Sequence, residues 1–99
     1  MRVALSLYRA WFTKLRDAVA KAAIAKRIDR LALGNFGYCR EVGNGVSELK
    51  IDLGPGYRVY VGQQGEKLVI LLCGGDKSTQ PKDIDLAKKY WADWKRRHK

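Results

Sequence analysis

The chain reads as an α+β domain with an N-terminal helical hairpin, a three- to four-stranded antiparallel sheet and a C-terminal helix. Three observations carry this reading. Apolar residues recur at helical spacing between residues 8 and 34, alternate one-on, one-off from Val46, and return to helical spacing after Pro81. Helices and strands segregated in this way pack as helices against an antiparallel sheet. The 99 residues make one domain, 1–99, with room for a single modest core.

In the first helical stretch Tyr8, Trp11, Phe12 and Leu15 share a face. Asp17 is an N-cap residue placed where it can interrupt and restart the helix. Val19, Ala23, Ile24, Ile28 and Leu31 then continue an apolar stripe up to the stop signal Gly34-Asn35. An antiparallel pair of helices bent near Arg16-Asp17 is expected, with one long helix as the alternative.

A glycine-rich connection over 35–45 leaves room for a short strand at Tyr38–Val42. In Val46–Leu53, Leu49, Ile51 and Leu53 face one way and Glu48, Lys50 and Asp52 the other. Tyr57–Val61 alternates too, with Val59 and Val61 on one side and Arg58 and Tyr60 opposite. Lys67–Cys73 is apolar on both faces, as a central strand covered on both sides would be. Gly54-Pro55-Gly56 and Gln64-Gly65 supply hairpin turns. The first turn suggests pairing Leu53 with Tyr57, which sets Lys50 opposite Tyr60, Asp52 opposite Arg58, and Lys50 diagonal to Arg58 on the side away from the core. Met1–Leu7 can add an edge strand through Val3, Leu5 and Leu7. The last helix runs from Pro81 to Arg97 with Ile84, Ala87, Trp91 and Trp94 as its apolar stripe. Those tryptophans are expected to pack rather than to stack on bases, and His98 to lie in a solvated tail.

Twenty Lys and Arg against ten Asp and Glu give a formal charge of +10. Such an excess favours a polyanion or an acidic protein partner and makes binding salt-sensitive. Half of the basic run at the end of the last helix is explained by the helix dipole alone. No apolar run approaches the ~20 residues of a membrane span. Met1–Leu7 is too short for a signal peptide, so a cytoplasmic location is expected. The two cysteines, Cys39 and Cys73, are far apart and read as free thiols. No close cysteine pair and a single histidine argue against zinc.

The candidate site follows from the strand reading. Arg58 can hold a phosphate through its planar fork. Lys50 adds positive potential beside it. Gly74-Gly75-Asp76-Lys77-Ser78-Thr79-Gln80 is a glycine-rich exit that can present backbone N–H groups and a lysine to the same ligand. In a chain this basic, that ligand is expected to be RNA. The plain structural alternative is an Arg58–Asp52 pair across the hairpin, with Asp76-Lys77 only shaping the turn.

The chain resembles the RelE/ParE toxin superfamily, in particular its HigB-like branch of addiction module killer proteins. The resemblance spans about Tyr8 to Trp91. It rests on Trp11-Phe12 with Leu15-Arg16-Asp17, then Arg27-Ile28-Asp29-Arg30-Leu31, Gly34-Asn35-Phe36-Gly37 and Gly45-Val46-Ser47-Glu48-Leu49-Lys50-Ile51. Gly54-Pro55-Gly56-Tyr57-Arg58-Val59-Tyr60 and Leu71 to Gln80 complete it. It implies a toxin encoded beside an antitoxin of helix-turn-helix type, with oligomeric state set in that complex. RNA-cleaving members act on messenger RNA in the ribosomal A site. The ribose 2′-oxygen attacks the adjacent phosphorus, with no metal or cofactor. Other members poison DNA gyrase. By position, Arg58, Lys50 and Lys77 match the basic cluster of RNA-cleaving members and are expected to converge on one phosphate-sized pocket. Tyr60, Asp76 and Gln80 are the expected substrate contacts around it. This chain has Asp83-Ile84 where such relatives offer a Tyr or His acid or base, and Glu48 where some carry a second lysine. A gyrase poison and a non-catalytic nucleic-acid-binding domain remain alternatives at this point.

Overall fold

The computed structural model describes residues 2–3, 7–64 and 68–97. Its elements are β1 (Arg2–Val3), α1 (Leu7–Lys14), α2 (Ala18–Ala32), β2 (Cys39–Gly43), β3 (Val46–Ile51), β4 (Tyr57–Gln64), β5 (Leu68–Gly75), a 3-10 turn at Lys77–Thr79, and α3 (Gln80–Arg97). The sheet order is β1-β5-β4-β3-β2. Strands β2 to β5 pair antiparallel, and β1 adds a parallel edge to β5. Of the edge strand foreseen at the N-terminus, the described residues Arg2–Val3 pair with Ile70 and Leu71. Leu5, Gly65, Lys67 and His98, on which expectations were placed, lie outside the described residues.

The helix break falls where the cap residue predicts. Asp17 is the N-cap of α2, and its carboxylate accepts from the Ala20 backbone N–H at 3.0 Å. At the other end Gly34 adopts φ +87°. Its N–H donates to the Leu31 carbonyl at 3.0 Å, and the Asn35 N–H to the Arg30 carbonyl at 2.9 Å. This crossed pair of bonds is a Schellman stop.

Two cores lie on the two faces of the sheet, where the chain's length led to the expectation of one. On one, α1 and α2 pack Tyr8, Ala20, Ile24, Ile28 and Leu31 against Leu49, Ile51, Tyr57, Val59, Val61 and Leu71. Val19 is 68% exposed, and Ala20 takes the inward position expected of it. On the other face α3 packs Ala87 and Trp91 against Val46, Tyr60, Ile70, Leu72 and Cys73. Strand β5 sits between β4 and β1 and feeds both cores. The side of β4 that carries Tyr60 is therefore not an open surface, because α3 covers part of it. Trp91 lies so close over β4 that a Cβ on Gly62 would stand 2.4 Å from its ring.

The pairing of β3 with β4 differs from the expected one. The ladder sets Ile51 opposite Tyr57, Lys50 opposite Arg58 and Glu48 opposite Tyr60. Asp52 to Gly56 form a loop wider than the three-residue turn assumed, closed by the Leu53 N–H to the Ile51 carbonyl and the Gly56 N–H to the Leu53 carbonyl. The register moves by two positions, so each residue keeps its face and changes its partner.

Candidate functional site

Direct pairing of Lys50 with Arg58, and of Glu48 with Tyr60, gathers four polar side chains on the α3 face of two neighbouring strands. The body of α3 covers Tyr60 and Val46. Beyond its first residue, Gln80, the face opens into a cleft of about 290 Å³ lined by Tyr38, Arg40, Glu48, Lys50, Arg58 and Gln80. Three cations against one carboxylate leave this cleft net positive.

Glu48 is the hub. It is 5% exposed, and both of its oxygens are engaged. Oε2 accepts from the Tyr60 hydroxyl at 3.0 Å and from the Gln80 amide at 2.9 Å. Oε1 lies 3.4 Å from Arg40 Nη2 and 3.7 Å from Arg58 Nε. A charge this buried is tolerable only with such partners. Burial, and after it the Glu48 charge and hydrogen bond, push the Tyr60 phenol far above its ordinary range. Tyr60 therefore stays protonated and donates.

Arg58 is 6% exposed. Its Nη1 donates to the Gly56 carbonyl at 2.9 Å, whereas its Nε is buried without a hydrogen-bond acceptor. At 3.7 Å the approach to Glu48 is an attraction between charges rather than a bonded fork. The guanidinium is thus planted at the floor of the cleft with bonding capacity in reserve. It does not pair with Asp52, which lies 3.3 Å from Lys50 Nζ at the exposed rim.

The other expected site residues distribute as follows. Lys50 and Gln80 line the cleft with Arg58. Lys77 does not line it. It is exposed on the 3-10 turn, and its Cβ and Arg58 Nη1 both lie within 3.7 Å of the point a Gly56 Cβ would occupy. It stands at the margin, so the expected three-way convergence reduces to Lys50 and Arg58 inside, joined by Arg40. Asp76 is the N-cap of that turn and accepts from the Ser78 backbone N–H at 2.8 Å, a structural task that occupies its carboxylate. Tyr60 is fully buried behind Glu48 and cannot meet a ligand directly. Asp83 lies over Gly75, where any Cβ would come within 1.8 Å of its Oδ2. Burial raises the Asp83 carboxyl above its ordinary range while the Thr79 hydroxyl bonded to it works the other way.

Sequence reasoning missed Arg40 and Tyr38 and read Glu48 as an ordinary strand residue. Alternation along β2 was a usable signal for Arg40, which pairs with Glu48 across the β2–β3 ladder. Of the basic tail, Arg96 and Arg97 both pair with Asp93, and Lys95 lies 5.4 Å over the Trp91 ring. These contacts account for much of that run within α3 itself. No described helix is long and apolar enough to cross a membrane.

The sequence profile of a family described as phage-derived protein Gp49-like (DUF891) matches residues 10–92. An uncharacterized protein of Haemophilus influenzae strain Rd is 57% identical over 81 residues, covering 82% of each chain. No solved structure matches the chain.

Proposed function

The chain belongs to the Gp49-like phage-derived protein family, a family associated with RelE-like toxins, and from this premise we propose that it is the toxin of a type II toxin–antitoxin pair. Its activity in this reading is ribosome-dependent cleavage of messenger RNA, as in the HigB-like branch of the RelE/ParE superfamily. The observation that carries the reading is the cleft itself: a nearly buried Arg58, flanked by Lys50 and Arg40, above a shared carboxylate.

The chemistry follows from that arrangement. A phosphodiester entering the cleft offers its oxygens to Arg58 and Arg40 and competes with Glu48 Oε1 for both. Arginine forks prefer a tetrahedral anion they can grip in pairs. Released from the arginines, Glu48 Oε1 accepts the proton of the ribose 2′-hydroxyl as its oxygen attacks phosphorus. The P–O5′ bond breaks, leaving a 2′,3′-cyclic phosphate, and the departing 5′-oxygen takes a proton from the Lys50 ammonium. Arg58 faces the charge that builds on the phosphorane, where a planted donor helps most. Tyr60 and Gln80 hold Glu48 in place from behind. Lys77 contributes long-range attraction at the margin. The antitoxin partner would lay an acidic segment over the same surface.

The test is translation of a reporter message with purified protein and ribosomes. The message is cut in the presence of the wild-type chain and stays intact with Arg58→Ala. Growth arrest with an intact message would refute the nuclease assignment, and gyrase-linked DNA breaks would replace it with the gyrase-poison reading.

A further inference from the structure

A second cleft of about 320 Å³ adjoins the first and is lined chiefly by Lys26, Arg27, Arg30, Lys50, Ile51 and Asp52. Lys50 lines both clefts, so they meet at the end of β3, the first on the α3 side of the sheet and the second against α2. Asp52, the acidic member, is already paired with Lys50 at 3.3 Å. Arg27 is occupied as well: Nη1 donates to the Lys50 carbonyl at 3.1 Å, and Nη2 donates to the carbonyls of Phe36, at 3.3 Å, and Tyr38. One guanidinium thus fastens α2 to the end of β3 and to the segment that carries Tyr38. The cations left to meet a ligand are Lys26 and Arg30, both exposed and one helical turn apart on α2.

Tyr38 lies on the rim of the first cleft and is 74% exposed. Its backbone is held by Arg27 and follows Gly37 at φ +60°, so its ring is presented from a fixed base. An uncovered aromatic ring beside a groove of cations is the combination by which proteins grip single-stranded nucleic acid, through stacking of a base and pairing of phosphates. An acidic peptide would use the same cations, but only a nucleic acid sets a stackable ring beside every phosphate.

We propose that single-stranded RNA lies across both clefts, with one base stacked on Tyr38 and a neighbouring phosphate held by Lys26 and Arg30. The proposal deepens the reading of the Arg58 cleft and rests on its RNA-binding half, not on cleavage.

The experiment is fluorescence anisotropy of a 2′-O-methyl RNA hexamer, which cannot be cut, at several salt concentrations. Copies carrying one abasic site at each position are titrated in parallel. Tyr38→Ala weakens binding roughly ten-fold or more, and Tyr38→Trp retains it. The most harmful abasic site costs the wild type a similar factor and costs Tyr38→Ala nothing further. Lys26→Gln with Arg30→Gln lowers the slope of log affinity against log salt by roughly one and leaves the abasic penalty intact. Circular dichroism checks that each variant is folded. An abasic penalty equal in wild type and Tyr38→Ala, or an unchanged salt slope in the double variant, would overturn the proposal. Because the hexamer is inert, a failed cleavage assay beside an intact Tyr38-dependent penalty removes the nuclease reading alone, and cleavage with no such penalty removes this inference alone.

Discussion

Removing Glu48 should unfold the protein more readily than removing Arg58, although the two form one ion pair. The asymmetry comes from what each leaves behind. With Glu48→Ala, Arg58 remains 6% exposed with the Gly56 carbonyl as its hydrogen-bond acceptor, and the Tyr60 hydroxyl, in a fully buried residue, loses its acceptor. An uncompensated buried charge costs about 3–5 kcal/mol, and the orphaned hydroxyl adds about 1–3 kcal/mol where water cannot reach it. Some of this is recovered as the structure relaxes, so a net loss of about 3–5 kcal/mol is expected. With Arg58→Ala, Glu48 keeps Arg40, Tyr60 and Gln80 as partners. The loss is then one carbonyl bond and one long charge pair, about 1–2 kcal/mol. A domain of this length holds only ~5–15 kcal/mol in all. The difference is therefore visible as a fall in urea midpoint of roughly 1.5–3 M for Glu48→Ala against less than about 1 M for Arg58→Ala. Tryptophan fluorescence and far-ultraviolet circular dichroism report the transition. An Arg58→Ala variant as unstable as Glu48→Ala would refute the reasoning, since it would make Arg58 rather than the carboxylate the keystone. The result also decides how toxicity data are read: loss of activity in a folded Arg58→Ala protein is a statement about the site and not about folding.

Three further outcomes follow from the packing around Gly62, Cys73 and Asp83. Gly62→Ala drives a Cβ toward the Trp91 ring, to 2.4 Å unless something yields, and should cost about 1–3 kcal/mol, measurable as a lower thermal midpoint with altered tryptophan emission. Cys73 is 3% exposed and its thiol is pushed up to about 12, mainly by burial, so a thiol reagent at pH 8 should titrate only the half-buried Cys39 in the native protein and both thiols in urea. The Asp83 carboxyl is raised in the folded state. Its contribution is therefore most favourable below its ordinary value of 3.8 and is lost as pH climbs through the raised one. Asp83→Asn should flatten that part of the stability–pH curve, and an unchanged curve would show that Asp83 is not its source.

Most elements were legible because their signals are local. A cap residue, a glycine at a stop and the period of an apolar stripe act within a few residues, and Asp17, Gly34 and the Ala87–Trp91 stripe sit where those signals put them. The strand register was not legible. Moving the β3–β4 pairing by two positions leaves every side chain on its own face, so alternation cannot tell the two pairings apart. Only the five-residue span of the loop at Asp52–Gly56 distinguishes them.

That shift decided the site. The expected pairing put Arg58 against Asp52 and Tyr60 against Lys50, a surface arrangement. The actual one puts Arg58 beside Lys50 and Tyr60 beside Glu48, and α3 then covers Tyr60 while its first residue, Gln80, bonds Glu48 at the edge of the cleft. Composition and periodicity alone determined a basic α+β domain and the face on which its cations stand. Which carboxylate they share, and that Lys77 stands aside while Arg40 and Tyr38 come in, depended on strands and a helix far apart in the chain meeting in space. Local pattern sets the direction of a side chain, whereas its partners are set by long-range packing that no short window of residues contains.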